Sequence, residues 1–202
     1  SLKSVDVESD ASVFSIDASQ YYIKGYETEK ETFTSEDLIS SMSNQAINCK
    51  TGVLSGFTFK DTATKGKYDY TCTEGESASG DLGDKILSEA GELLKVQHLG
   101  KNAPSFDIAC ENGALANFRI IPAVDGKASY EYSCRDIATF GDDVTITKQM
   151  TTGNQGEIHD LKRLHDNINC GEGEVLTSLK YTLDGDNESD VILSGICKKL
   201  AA

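Results

Sequence analysis

Apolar residues recur along this chain at fixed offsets behind three cysteines. Three positions after Cys49, Cys110 and Cys170 stands a glycine, Gly52, Gly113 or Gly173. A leucine follows at Leu54, at Leu115 and, one residue late, at Leu176. Further on come Phe57, Phe118 or Leu179, and two positions beyond them Phe59, Ile120 or Tyr181. The first two copies close on Tyr-x-Tyr-x-Cys, through Tyr68, Tyr70, Cys72 and Tyr130, Tyr132, Cys134; the third closes on 191-VILSGIC-197. The leading cysteines are 61 and 60 residues apart. A fixed period with fixed internal offsets marks a repeat.

The period-two spacing predicts strands with one buried face. The polar middles 61-DTATKG-66, 122-PAVDG-126 and 184-DGDN-187 predict turns. Each phrase therefore reads as a β-hairpin, near 49–72, 110–134 and 170–197. Folding each hairpin back on itself brings its two cysteines opposite one another, within reach of a disulfide. The expected bonds are Cys49–Cys72, Cys110–Cys134 and Cys170–Cys197. Six cysteines allow 15 pairings, and the repeat selects this one. The fold class is all-β: three pseudo-repeated, disulfide-linked hairpin units, for which a β-prism, a trefoil or a sandwich would each serve.

Residues 1–30 precede the repeats as an arm, and 31–202 form the three-repeat body. The arm is β-prone at Val13, Phe14, Ile16, Tyr21, Tyr22 and Ile23. That apolar content suits a strand that completes a sheet edge, because an open edge offers a row of unpaired backbone groups. The edge could belong to a neighbouring copy or to the same chain's third unit, whose closing strand is atypical. Between the hairpins, 82-LGDKILSEAGELLKVQHL-99 and 158-IHDLKRL-164 show mixed periodicity and read as strands with short helical turns.

Composition narrows the function. At 202 residues the chain is long enough for a sizeable core. Its formal net charge of −14 argues against nucleic acid, which demands a basic surface, and against attraction to anionic membranes. Such acidity ordinarily serves solubility; the sharper alternative is cation bridging between neighbouring molecules. No apolar run of spanning length occurs, so membrane insertion is not expected. Paired cysteines imply an oxidising, extracellular or cell-surface location. A start at Ser1 rather than Met fits removal of a secretory signal. The sequon Asn187-Glu188-Ser189 places a candidate N-glycan at the third hairpin tip.

Catalytic chemistry is not apparent, and no catalytic residue or cofactor is expected. His159 and His165 lack the spacing of three or four that a helical metal site wants, and with His98 they read as solvated or capping side chains. Asp184, Asp186, Glu188 and Asp190 alternate as carboxylates that would suit calcium, though an ordinary acidic turn is the plainer reading. The paired tyrosines could stack on sugars, but more ordinarily they fill a sheet surface beside a disulfide.

The phrase C-x2-G-x-L-x2-F…Y-x-Y-x-C resembles repeats of secreted surface and appendage proteins of protists and algae, across residues 44–198. More distantly, a three-unit disulfide β protein looks like the β-prism of vitelline-membrane outer-layer proteins, whose Trp-containing signature is absent. The resemblance implies an extracellular structural or adhesive role. The resulting expectation is a non-enzymatic subunit of a fibril, appendage or surface coat, assembled head-to-tail with itself through the arm. The alternatives are a carbohydrate-binding module or adhesin, with glycans as partners, and a secreted enzyme.

Overall fold

The computed structural model describes residues 21–33, 38–62, 64–91, 107–151, 162–184 and 187–201. The first unit contains β1 (Tyr21–Glu27), β2 (Glu31–Thr32), helix α1 (Leu38–Met42), β3 (Ile47–Asn48), β4 (Val53–Thr62) and β5 (Lys65–Gly75). The second contains β6 (Ile86–Leu87), β7 (Ile108–Ala109), β8 (Gly113–Pro122) and β9 (Ala128–Asp136). The third contains β10 (Phe140–Thr151), β11 (Ile168–Asn169), β12 (Glu174–Asp184) and β13 (Asn187–Leu200). The protein is all-β, as its periodicity predicts, and the hairpins β4–β5, β8–β9 and β12–β13 fall on the three repeated phrases.

Three sheets form, with strand orders β1-β5-β4-β11, β6-β9-β8-β3 and β10-β13-β12-β7; β2 adds to β5. Each hairpin thus carries a strand from its own unit on one side and a two-residue strand from another unit on the other. The lending is cyclic. The first unit lends β3 to β8, the second lends β7 to β12, and the third lends β11 to β4.

A β-bulge just after the repeated leucine makes this possible. The register slips between Leu54 and Gly56, between Leu115 and Asn117, and between Leu176 and Ser178. A bulge leaves its extra residue outside the ladder. The freed carbonyls of Ser55, Ala116 and Thr177 accept the N–H of Cys170, Cys49 and Cys110, at 2.8, 2.8 and 2.9 Å. A closed ring of three sheets around one interior is a prism, which decides among the three architectures expected.

The interior is built from equivalent positions. Ile47, Ile108 and Ile168, Leu54, Leu115 and Leu176, and Phe57, Phe118 and Leu179 are all buried. Phe57 meets Phe118 across two sheets at 5.2 Å between ring centroids. A second cluster, including Val53, Ala114 and Val175, closes one end. Beside it the buried Arg135 donates to the carbonyls of Gly52, Lys50 and Gly80, tying the second unit to the first.

Several local expectations change. The cysteines are not directly opposed: Cys72, Cys134 and Cys197 face Leu54, Leu115 and Leu176 across the ladder. Each leading cysteine lies instead ahead of its hairpin, on the chain entering from the lent strand. The segment 21–27 of the arm pairs in cis with β5, from Tyr21↔Gly75 to Glu27↔Asp69, and so belongs to the first unit rather than to the third. The third sheet is not left incomplete, because β10 fills its edge from Phe140 to Thr151. The third unit's missing Tyr-x-Tyr has a steric reason. Gly195 takes the place of the second tyrosine, where an added Cβ would meet Ile168 and Leu176 at 2.9 Å. Helix α1, absent from the strand reading, buries Leu38 and Met42, one turn apart. Residues 162–164 are helical, whereas Ile86–Leu87 is extended.

Candidate functional site

The structure forms Cys49–Cys72, Cys110–Cys134 and Cys170–Cys197, with Cα separations of 5.7, 5.7 and 5.6 Å. Non-reducing peptide mapping should return these three pairs; a Cys72–Cys110 peptide would overturn both the pairing and the hairpin register. Val13, Phe14 and Ile16 lie outside the described residues, as do His98 and His159. Asn187 begins β13 opposite Asp184. Asp186 and the side chains of Asp184, Asn187, Glu188 and Asp190 lie outside the described residues. Among the described residues no group of three or more His, Cys, Asp or Glu is placed to hold a metal ion. No described helix is long and apolar enough to cross a membrane.

His165 departs most from expectation. Rather than capping or solvated, it is fully buried at the middle of the prism. Its Nδ1 lies 2.6 Å from the Tyr68 hydroxyl, and its Nε2 lies 3.2 and 2.9 Å from the hydroxyls of Tyr130 and Tyr181. Tyr130 and Tyr181 also bond to each other. Burial pushes the imidazole down to about 3 and raises the pKa values of Tyr68, Tyr130 and Tyr181. All four groups are therefore neutral around neutral pH. The cluster is a satisfied polar core, one hydroxyl from each sheet. Tyr181 stands where Phe59 and Ile120 stand in the other hairpins, so the repeat already marked it as an inward position. No repeated signal marked His165.

Tyr68, Tyr70, Tyr130 and Tyr132 are all buried, in line with the packing reading. Surfaces, not the interior, are thus where this protein can meet a partner. The outer faces of the three sheets can be compared row by row. In the first sheet one row across four strands reads Gly25, Thr71, Gly56, Asn169. In the second, Ser133, Asn117 and Asn48 align there, with Lys85 just ahead of β6 at the place of Gly25. In the third the row reads Ile146, Ile196, Ser178, Ala109. One scaffold position therefore carries an open polar floor, a charged surface and an apolar one.

The polar floor lies in a groove of ≈ 690 Å³ on the first sheet. The equivalent groove on the second sheet is ≈ 290 Å³ and is flanked by Arg119 and Lys85, both paired with Glu131 at 3.0 and 3.3 Å. On the third sheet, Val144, Ile146 and Met150 stand 56%, 58% and 48% exposed on β10. They face Lys198, Ile196 and Ile192 across the ladder. No described strand pairs with the far side of β10.

The fold and these surfaces define a class: an all-β protein of three disulfide-linked sheets that exchange short strands around a pseudo-threefold interior. Comparison of the chain with protein-family models, with curated proteins and with solved structures gives no match.

Proposed function

We propose that this chain is a non-enzymatic extracellular structural protein, a subunit of a fibril, appendage or surface coat, whose copies join through the far edge of β10. One observation carries the reading. Among the described residues nothing pairs with the far edge of the twelve-residue strand β10, beside an exposed apolar row of Val144, Ile146 and Met150. Long apolar edges template strand addition, and proteins usually blunt them with charge, proline or short length. Of the other edges, β6 has two residues, and the seven-residue β1, which also exposes Tyr22 and Ile23, carries Lys24 at its middle. From Val144 to Met150 the exposed row of β10 carries a charge only at Lys148, with Asp142 and Asp143 exposed at the strand's start.

The occupant in this reading is a second copy, offering the β-prone stretch that holds Val13, Phe14 and Ile16. Tyr21, Tyr22 and Ile23 are already committed to β1 in cis, which leaves the earlier residues as the donor. Strand addition would supply backbone hydrogen bonds, while the apolar row would bury side chains worth ~1.5–3 kcal/mol each. Such a contact runs head-to-tail, and wherever its rotation does not close into a ring it propagates as a filament. A net charge of −14 sets copies against one another, and salt screens that repulsion.

Light scattering across a concentration series tests this. The mass should rise with concentration, and rise more steeply with added salt. Ile146→Lys, and separately removal of residues 1–19, should hold the protein at the monomer mass. A discrete monomer under all conditions for the intact chain would overturn the reading.

A further inference from the structure

Gly25 sits in the middle of β1, where glycine weakens a strand, yet nothing among the described residues requires it. Its φ is not in the left-handed region, and an added Cβ would meet nothing within 4 Å. Gly56 differs, since a Cβ there would strike Asn169 Oδ1 at 2.1 Å. An interior strand glycine often marks a bulge, a tight bend or a place where a ligand or another backbone approaches closely, and β1 has neither bulge nor register shift at Gly25. Gly25 opens outward onto the ≈ 690 Å³ groove of the first sheet.

The groove's lining carries three carboxylates, Glu27, Asp69 and Asp166, and one lysine, Lys60, together with Thr58, Thr71, Asn167 and Asn169. Behind the floor of Gly25, Thr71 and Gly56 runs a parallel row of Glu27, Asp69 and Thr58. Lys60 and Lys67 lie 2.8 and 2.9 Å from the Asp69 carboxylate. Thr58 and Asn167 bond to each other through side chain and backbone, which presents an amide at the rim. The Thr71 hydroxyl is held by Ser55 at 2.9 Å. These groups offer acceptors and donors along a shallow floor that Gly25 leaves low at one end.

We propose that this groove binds a neutral oligosaccharide chain lying across the strands. Each vicinal hydroxyl pair of a pyranose both donates and accepts, which matches alternating carboxylate, amide, hydroxyl and ammonium groups. The flat ring face suits a low floor, which Gly25 supplies at its open end, with the Thr71 hydroxyl beside it and the Asn169 side chain lying over Gly56. An extended peptide fits poorly, because the backbone groups of this floor are already paired within the sheet and the walls offer no apolar pockets for its side chains. A polyanion fits poorly because Glu27, Asp69 and Asp166 line the groove against one lining lysine, Lys60. The same row carries Lys85 on the second sheet, with Arg119 in the row behind it, and turns apolar on the third. One strong site per chain follows.

The test is a titration of isotope-labelled intact protein with cellohexaose, mannohexaose, chitohexaose and, as the acidic comparator, a hexamer of galacturonic acid, read by amide chemical shifts. At least one neutral hexasaccharide should give saturable shifts centred on Gly25, Thr71, Gly56 and Asn169. Gly25→Val should abolish them with the melting temperature unchanged, because its side chain enters open groove. If Gly25→Val fails to fold, Gly25→Ala should weaken binding at least several-fold. Absence of saturable shifts at these amides with every neutral hexamer, binding by the acidic hexamer alone, or undiminished binding by the folded Gly25 variant would each overturn the proposal. The groove and the β10 edge lie on different sheets, so failure here leaves the assembly reading standing.

Discussion

Phe118→Ala should destabilise the protein by about 3–5 kcal/mol, the range for emptying a large aromatic from a packed core. Phe118 is buried between Phe57 at 5.2 Å, Tyr130 at 5.7 Å and Tyr68 at 6.2 Å. Its own strand sits in the second sheet, while Phe57 and Tyr68 belong to the first. It also faces Ile47 of the lent strand β3 across the ladder. Truncation therefore loosens a sheet, the contact between two sheets and one link of the ring together. The surrounding rings are fixed by three disulfides and a closed strand order, so collapse into the void is limited. Urea unfolding followed by far-UV circular dichroism measures the loss. Val124→Ala, at a residue 75% exposed on the second hairpin turn, should move stability by less than about 0.5 kcal/mol. A loss below about 1.5 kcal/mol for Phe118→Ala would mean that the interior is not packed as described.

Phe118 was visible in the sequence because it occupies a repeated offset, as were Leu54, Leu115, Leu176 and the six cysteines. Repetition reports whatever all three units share, and the shared part is the hairpin with its inward residues. The bulge escaped because its residues, Ser55, Ala116 and Thr177, share a backbone role and not a side chain. The lent strand did leave a mark, an isoleucine two positions before each leading cysteine, at Ile47, Ile108 and Ile168. Two residues are too few to read as a strand, and which sheet receives them is a matter of long-range closure. The candidate site lies in what the units do not share. Gly25, Lys85 and Ile146 occupy equivalent places, and only the register relates them, since the spacers carrying them have diverged in sequence. His165 occurs once, and its environment is assembled from residues up to 97 positions away.

That histidine sets the second large effect, an acid destabilisation well above the carboxylate range. In the folded protein the imidazole titrates near 3, because it is wholly removed from water and meets only neutral hydroxyls. In the unfolded chain it titrates near its usual 6.5. Between those values the unfolded state holds the extra proton, so lowering the pH favours unfolding. The contribution to stability is complete above 6.5 and drains away as the pH falls from 6.5 toward 3. Well below 6.5 the slope approaches about 1.4 kcal/mol per pH unit. Carboxylates add a fall of the same sign at lower pH. Glu74, held down by its bond from Thr51 and then by that from Tyr26 against the opposing effect of burial, gives up its stabilisation only below about its usual 4.5. In the upper part of the window from 6.5 to 4.5, imidazole titration therefore outweighs that of the carboxylates. Unfolding free energies from urea titrations at pH 7, 6, 5 and 4.5 should fall steadily for the natural protein. His165→Gln keeps a donor and an acceptor facing the three hydroxyls but does not titrate there. It should be less stable at pH 7 and lose much less on acidification, so that the two curves converge toward pH 4.5. Equal slopes for both proteins would show that the imidazole is reached by protons in the folded state, and the sealed interior would have to be abandoned.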